Sequence, residues 1–275
     1  MLGRPVSHSL SPVLHRAAYA ALGLDGWRYD AVECDDTALP GLVGELGPDW
    51  VGLSVTMPGK VAALQVATAV SERARAVGAA NTLVRAGAGW AADCTDIDGV
   101  VGALRAAAGF TAGERAVLLG AGGTARAALA GMVSLGVREV TLVVRDAGRA
   151  AATLDCAEVL GLRVQVVGWG DGGLAARCAR ADLAVNTVPA TASVMVAAAA
   201  AAAVAFVVLD AGYSPWPTPV AAAVMAAGGR LASGLDMLLH QAFGQVEQFT
   251  GFPAPREAMR DALRETTDGT HALPL

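Results

Sequence analysis

Six residues, Gly120-Ala121-Gly122-Gly123-Thr124-Ala125, constrain this chain more than any others, because they directly follow a short apolar run at 116–119 and lead into a helical pattern over 124–135 that Gly136 ends. A strand, a glycine turn and a helix in that order open a parallel α/β unit. In such a turn the first glycine allows a tight bend, the second lets the backbone approach a pyrophosphate, and a small residue at the sixth position lets the helix pack on the strand. The helix N-terminus adds amide donors and the positive end of its dipole. Gly120, Ala121, Gly122, Gly123, Thr124 and Ala125 are therefore candidate dinucleotide-binding residues. Further runs at 139–145, 163–167, 183–186 and 204–210 are nearly continuously apolar, as strands buried on both faces are.

The end of the next strand discriminates between cofactors. Where an NAD site presents Asp or Glu to the ribose hydroxyls, this chain has Val144, Arg145, Asp146 and then Arg149. Two guanidinium groups one helical turn apart can grip a ribose 2′-phosphate, and Arg145 can also lie against the adenine face. NADP is the expected cofactor, with Asp146 the one group in the loop that suits NAD.

Composition narrows the partners. With 275 residues and a net charge of −5 spread without blocks of one sign, the chain lacks the electrostatic footprint of a nucleic-acid or anionic-membrane binder. A small-molecule substrate is expected, on a monomer or a homodimer. The uncharged stretch 188–209 imitates a membrane span, but Pro189, Thr191 and Ser193 interrupt its start and its middle is nearly all Ala, so a buried helix followed by a buried strand is expected. Cys34, Cys94, Cys156 and Cys178 form no C-x-x-C and have no zinc-ligand spacing with His, so reduced thiols and no metal are expected. His8, His15, His240 and His271 suggest neither a relay nor a metal site and read as structural or exposed. Gly3, Arg4 and Pro5 do not resemble the start of a secretory signal, so the expected compartment is the cytoplasm.

The remaining chemistry gathers in the first hundred residues. Ser9-Leu10-Ser11-Pro12 places two hydroxyls at a helix N-terminus, a natural cradle for a carboxylate, with Ser11 as N-cap and Pro12 in the first turn. Expected strands run over 29–32 and 51–55 and a helix over 61–69, whereas Met1-Leu2 is too short to make a strand. Ser54-Val55-Thr56-Met57-Pro58-Gly59-Lys60 puts a hydroxyl and an amine just past a strand end, where open α/β sheets bind ligands. Of the 20 basic residues only Lys60 is a lysine. Residues 78–82 and 93–99 add the amide of Asn81 and the carboxylate of Asp96, both expected in loops. An amphipathic helix over 97–108 links the halves, and another carries Leu235, Leu238, Leu239, Ala242, Val246 and Phe249 on one face before Gly251 ends it.

In order along nearly the whole chain, Ser9-Leu10-Ser11-Pro12, Val55-Thr56 with Pro58 and Lys60, Ala80-Asn81-Thr82, Thr95-Asp96, the glycine turn, Arg145 with Arg149, Asn186, Asp210 with Tyr213, and Gly234 with Met237, Leu238 and Gln241 resemble the shikimate dehydrogenases. The resemblance implies two α/β domains: a substrate-binding domain over 1–98 completed by helices in 235–275, and a Rossmann-type NADP-binding domain over 99–234, with a cleft between them. It implies NADPH-dependent reduction of 3-dehydroshikimate to shikimate. Carried over, Ser9, Ser11 and Tyr213 hold the substrate carboxylate, Thr56, Asn81 and Gln241 bind ring hydroxyls, Lys60 and Asp96 form the catalytic pair, and Asn186 and Gly234 join the cofactor site. The chain departs from the family pattern at Ser54, Cys94 and Val144, each in place of Asn, and at Asn186-Thr187-Val188-Pro189. A quinate or dual-specificity dehydrogenase, or a catalytically silent NADP-binding paralogue, are the alternatives.

Overall fold

Short strands hold in this chain because neighbouring segments supply their hydrogen bonds. The structure is a computed structural model describing residues 1–189 and 207–275, and it divides into two compact units: Met1–Asp98 with Leu238–Leu273 and Leu275, and Gly99–Met237 with Pro274. In the first unit, β1 (Leu2–Gly3) pairs in parallel with β2 (Val32–Glu33). The expectation that Met1-Leu2 is too short for a strand is thereby corrected. Val32 N–H donates to Met1 O at 2.9 Å, Thr56 N–H to Leu2 O at 2.8 Å, and Leu2 bridges to Val55, so two residues are held from both sides. The expected strand over 29–32 shrinks accordingly to Val32–Glu33.

A four-stranded sheet follows, with β3 (Gly52–Ser54), β4 (Ala69–Val70), β5 (Thr82–Ala86) and β6 (Gly89–Asp93) in the order β3-β5-β6-β4. Only the β4–β6 pair is parallel. The placing of 78–82 and 93–99 in loops is corrected: Thr82 opens β5, Asp93 closes β6, and Asp96 begins the helix Asp96–Ala106. β6 is composed of Gly, Trp, Ala and Asp, which carry little of the β-branched signal that marks strands. The helix expected over 61–69 is confined to Ala62–Val66, since Ala69–Val70 leaves it to pair with β6. Leu39, Leu53, Leu83 and Trp90 fill the core beneath this sheet.

The second unit is built on a six-stranded, all-parallel sheet. Strands β7 (Arg115–Leu119), β8 (Glu139–Val144), β9 (Arg163–Gly168), β10 (Leu183–Asn186), β11 (Val207–Asp210) and β12 (Arg230–Ser233) take the order β12-β11-β10-β7-β8-β9. The order reverses between β7 and β10, the switch point where such sheets open a crevice at the strand carboxyl ends. The strand over 163–168 is not buried on both faces as expected: it is the sheet edge, and Arg163, Gln165 and Gly168 are exposed. The helix expected in the Ala tract, and residues 204–206 of the strand expected at 204–210, lie outside the described residues. Among the described residues no helix is long and apolar enough to cross a membrane, and no cluster of His, Cys, Asp and Glu could hold a metal. All four cysteines are free and buried.

Candidate active site

Lys60 reaches its position through the turn after β3, where Gly59 packs so closely that an added Cβ would sit 2.7 Å from Leu39 Cδ1, and where Lys60 O accepts the Ala80 amide at 2.9 Å. Its ammonium donates to Asp96 Oδ2. Both side chains are largely withdrawn from water, at 15% and 8% exposure, so this ion pair is not a solvated surface contact. Asp96 stands in the first turn of its helix, where the dipole favours a negative charge.

Asn81 organises what surrounds the pair. Its Nδ2 donates to Asp96 Oδ1 at 2.9 Å and to Gln241 Oε1 at 3.1 Å, while its Oδ1 accepts the Thr95 amide at 2.8 Å and the Thr82 hydroxyl at 3.0 Å. Gln241 comes from the helix Gly234–Thr250, as do Gln245 and Gln248 at the spacing that shares one helix face. Gln248 Nε2 reaches Asp93 Oδ2 at 2.8 Å. Arg73 and Ser71 also bind Asp93, Arg73 Nε and Ser71 Oγ donating to its Oδ1 at 2.8 and 2.6 Å, and the carboxyl is held well below its usual range because these hydrogen bonds and the guanidinium charge outweigh burial.

Ser9 and Ser11 lie at the start of the helix Ser11–Ala21, with their hydroxyls 3.4 Å apart. The expectation that Ser11 caps this helix is corrected: Leu10 occupies the cap position, no side chain caps it, and Ser9 Oγ accepts the Ser11 amide at 3.3 Å. Pro12 is in the first turn as expected. Ser11 is buried. Thr56 is half-buried just beyond β3.

In the second unit the glycine turn has the form that a pyrophosphate needs. Gly120 has φ +98°, and an added Cβ would sit 2.5 Å from Thr187 Oγ1; at Gly122 an added Cβ would meet nothing within 4 Å, so the backbone there faces open space. The helix Gly123–Ser134 begins at once and Ala125 is fully buried against the sheet. Thr153 holds the turn by donating to Ala121 O at 2.9 Å. Arg145 and Arg149 are both exposed, at the end of β8 and in the short 3₁₀ turn Ala147–Ala150. Asp146 Oδ1 accepts the Gly148 amide at 2.9 Å, so its carboxylate shapes that turn. Asn186 is buried and donates to Asp210 Oδ1 at 2.8 Å; Asp210 in turn accepts the Thr218 hydroxyl and the Gly212 amide, bracing the loop that carries Tyr213. Burial raises the Tyr213 phenol above its ordinary range. Gly234 is required by packing, since an added Cβ would lie 2.3 Å from Ala211 O.

Comparison with known proteins gives these groups a context. Residues 1–83 match the shikimate dehydrogenase substrate binding domain and residues 234–264 the shikimate 5′-dehydrogenase C-terminal domain. The shikimate dehydrogenase (NADP(+)) of Nitrobacter hamburgensis is 36% identical over 283 aligned residues, covering 100% of this chain and 94% of that protein. The chain belongs to the shikimate dehydrogenase family.

The crystal structure of Mycobacterium tuberculosis shikimate dehydrogenase is similar with a TM-score of 0.88 and 54% identity, covering 96% of this chain and 97% of that one. Shikimate 5-dehydrogenase from Thermus thermophilus, solved in complex with NADP(H) and shikimate, aligns with a TM-score of 0.80 and 30% identity over 96% of this chain and 97% of that one. Of the expected site residues, the structure brings Lys60, Asp96, Asn81 and Gln241 into one hydrogen-bonded group and Ser9 with Ser11 into another. Sequence reasoning missed Gln245, Ser54 and Thr82 as members of the buried network. The signal was present in part, because Gln245 follows Gln241 by one helical turn.

Proposed function

We propose that this protein catalyses the NADPH-dependent, reversible reduction of 3-dehydroshikimate to shikimate in aromatic amino-acid biosynthesis, as a cytoplasmic enzyme. The observation that carries this reading is the withdrawn Lys60–Asp96 pair, anchored through Asn81, in a chain of this family. The unit formed by residues 1–98 and the C-terminal helices is the substrate-binding domain, and residues 99–234 form the NADP-binding domain. The open backbone at Gly122 fits a dinucleotide, because it leaves room for phosphate oxygens beside the helix N-terminus. Gly120, Ala121, Gly123, Thr124 and Ala125 complete that cradle, Arg145 and Arg149 take the 2′-phosphate, and Asn186 and Gly234 support the site from neighbouring strand ends.

When bound, the nicotinamide supplies the hydride. As the substrate carbonyl carbon is reduced, negative charge develops on its oxygen, and the Lys60 ammonium stabilises that charge and delivers the proton. Asp96 orients the ammonium. Asn81 holds Asp96 Oδ1, leaving Oδ2 to Lys60, and together with Thr56 and Gln241 binds ring hydroxyls. Ser9 and Ser11, with Tyr213, hold the carboxylate. The deciding experiment is a panel on purified protein: shikimate and quinate, each with NADP⁺ and NAD⁺. Shikimate-dependent NADPH formation is expected to dominate; quinate as the better substrate, or cofactor binding without turnover of either, would overturn the proposal.

A further inference from the structure

Gln245 lies at the meeting point of a buried polar network that leads to Asn81 in the candidate site. Its side chain is only 1% exposed, and all four of its hydrogen-bonding positions are used. Oε1 accepts from Ser54 Oγ at 2.8 Å and stands 3.2 Å from His15 Nε2; Nε2 donates to Asn81 O at 3.0 Å and to Thr82 Oγ1 at 3.1 Å. An amide has two acceptor and two donor positions, so no alternative orientation satisfies these partners equally. If the amide flipped, its NH₂ would face His15 Nε2 and its oxygen would confront the lone pairs of Asn81 O.

The network has a direction. Because Gln245 donates to Thr82, the Thr82 hydroxyl hydrogen is free to turn to Asn81 Oδ1 at 3.0 Å. That bond and the Thr95 amide make Oδ1 the acceptor end of Asn81, which aims its NH₂ group at Asp96 and Gln241. On the other side, Tyr29 donates to Ser54 Oγ at 2.7 Å and Ser54 donates onward to Gln245, which fixes Oε1 as the acceptor end of the amide. The hydrogen bonds of Gln245 go to His15, Ser54, Asn81 and Thr82, and through Thr82 they reach the side chain of Asn81.

We propose that Gln245 is a positioning residue: acting through Thr82, it fixes the donor–acceptor sense of Asn81, and so sets the affinity for the cyclic hydroxy-acid substrate. This rests on the proposed function above, in which Asn81 binds that substrate. Buried networks of this kind are all-or-none, since a missing member leaves its neighbours unsatisfied in a low-dielectric interior.

The test compares Gln245→Met, which keeps the length and removes every hydrogen bond, with Thr82→Val, which removes only the relay hydroxyl, and with the double variant. Each is assayed with shikimate and NADP⁺ beside the parent protein, with Tm recorded. The expected result is a shikimate KM raised about tenfold or more in each single variant, an unchanged KM for NADP⁺, and a double variant little worse than either single one, as members of one network behave. Lowered Tm with shikimate KM within about twofold of the parent overturns the positioning role. If Gln245→Met does not fold, Thr82→Val decides by the same KM criterion. A parent protein that does not turn over shikimate overturns the proposed function, and this inference with it; a parent that does, with variants of unaltered KM, overturns this inference alone.

Discussion

Asn81 and Asp96 are joined by a hydrogen bond of 2.9 Å to Asp96 Oδ1, which leaves Oδ2 as the oxygen that meets Lys60. The carboxylate is thus gripped from two sides by groups of different kinds, an amide that fixes its angle and an ammonium whose charge it balances. Lys60→Ala should therefore lower kcat with shikimate about a hundredfold to ten-thousandfold while leaving the fold intact. Asp96→Asn should lower kcat too, and its far-UV circular dichroism should match that of the parent. Parent-like turnover by Lys60→Ala would remove the amine from the mechanism.

Arg145 and Arg149 are exposed and have no carboxylate within ion-pair distance among the described residues, so their guanidinium groups are available to a ligand. A charge-assisted hydrogen bond contributes about 1.5–3 kcal/mol, so Arg145→Ala and Arg149→Ala should each raise KM for NADP⁺ roughly tenfold to a hundredfold. KM for NAD⁺, which lacks the 2′-phosphate, should hardly move. Equal effects on both cofactors would point to a general fault in the domain.

Two glycines of the same turn should fail differently. At Gly122 a methyl group meets no protein atom within 4 Å, so Gly122→Ala should keep the parent Tm and lose affinity for NADP⁺. Gly120→Ala combines a φ of +98° with a contact of 2.5 Å to Thr187 Oγ1, so it should lower Tm as well. Thermal scans with and without NADP⁺ separate the two: the cofactor should raise Tm in the parent and barely do so in Gly122→Ala.

His15 supplies a pH dependence. It is fully buried, stacked on Tyr29 at 4.1 Å between ring centres, and burial lowers its pKa to about 3, against the opposing hydrogen bond that Gln245 Oε1 accepts. The unfolded chain, with an ordinary histidine near 6.5, binds one more proton than the folded one between these limits. Stability therefore falls as the pH drops from about 6.5 towards 3, by up to about 1.4 kcal/mol per pH unit for one proton. His15→Phe keeps the stacking and removes the titration, so the urea midpoint should change less steeply with pH in that window. Parallel curves for parent and variant would show that other groups set the slope.

Five of the six strands of the second unit were legible because they are apolar, short and separated by glycines, whereas β12 at Arg230–Ser233, with Arg and Ser at its ends, was not read as a strand. The strand β9 was read but its place at an edge was not, since Val164, Val166 and Val167 read as a buried run and only the sheet order shows that its other residues face water. In the first unit, the β5–β6 hairpin was hidden by small residues, and β1 by its dependence on partners at residues 32–34 and 55–56. Lys60, Asp96 and Asn81 could be named from their motifs, and the pairing of Lys60 with Asp96 from the family resemblance, but the bond from Asn81 to Asp96 could not, because the two sit on different elements. The polarity of Gln245 was invisible for a related reason: on a helix pattern it reads as one more polar residue, and only four partners from three distant segments give it a fixed sense.

The first unit is assembled from chain segments on either side of the second, and the helix Gly234–Thr250 carries Gln241 and Gln245 into the network around Asn81. During synthesis, residues 99–237 are a continuous stretch and can fold as soon as they leave the ribosome. The first unit cannot: until residue 245 has emerged, Asn81 lacks two of its partners. The order of translation therefore completes the second unit first and delays the network around Asn81 until almost the whole chain has been made.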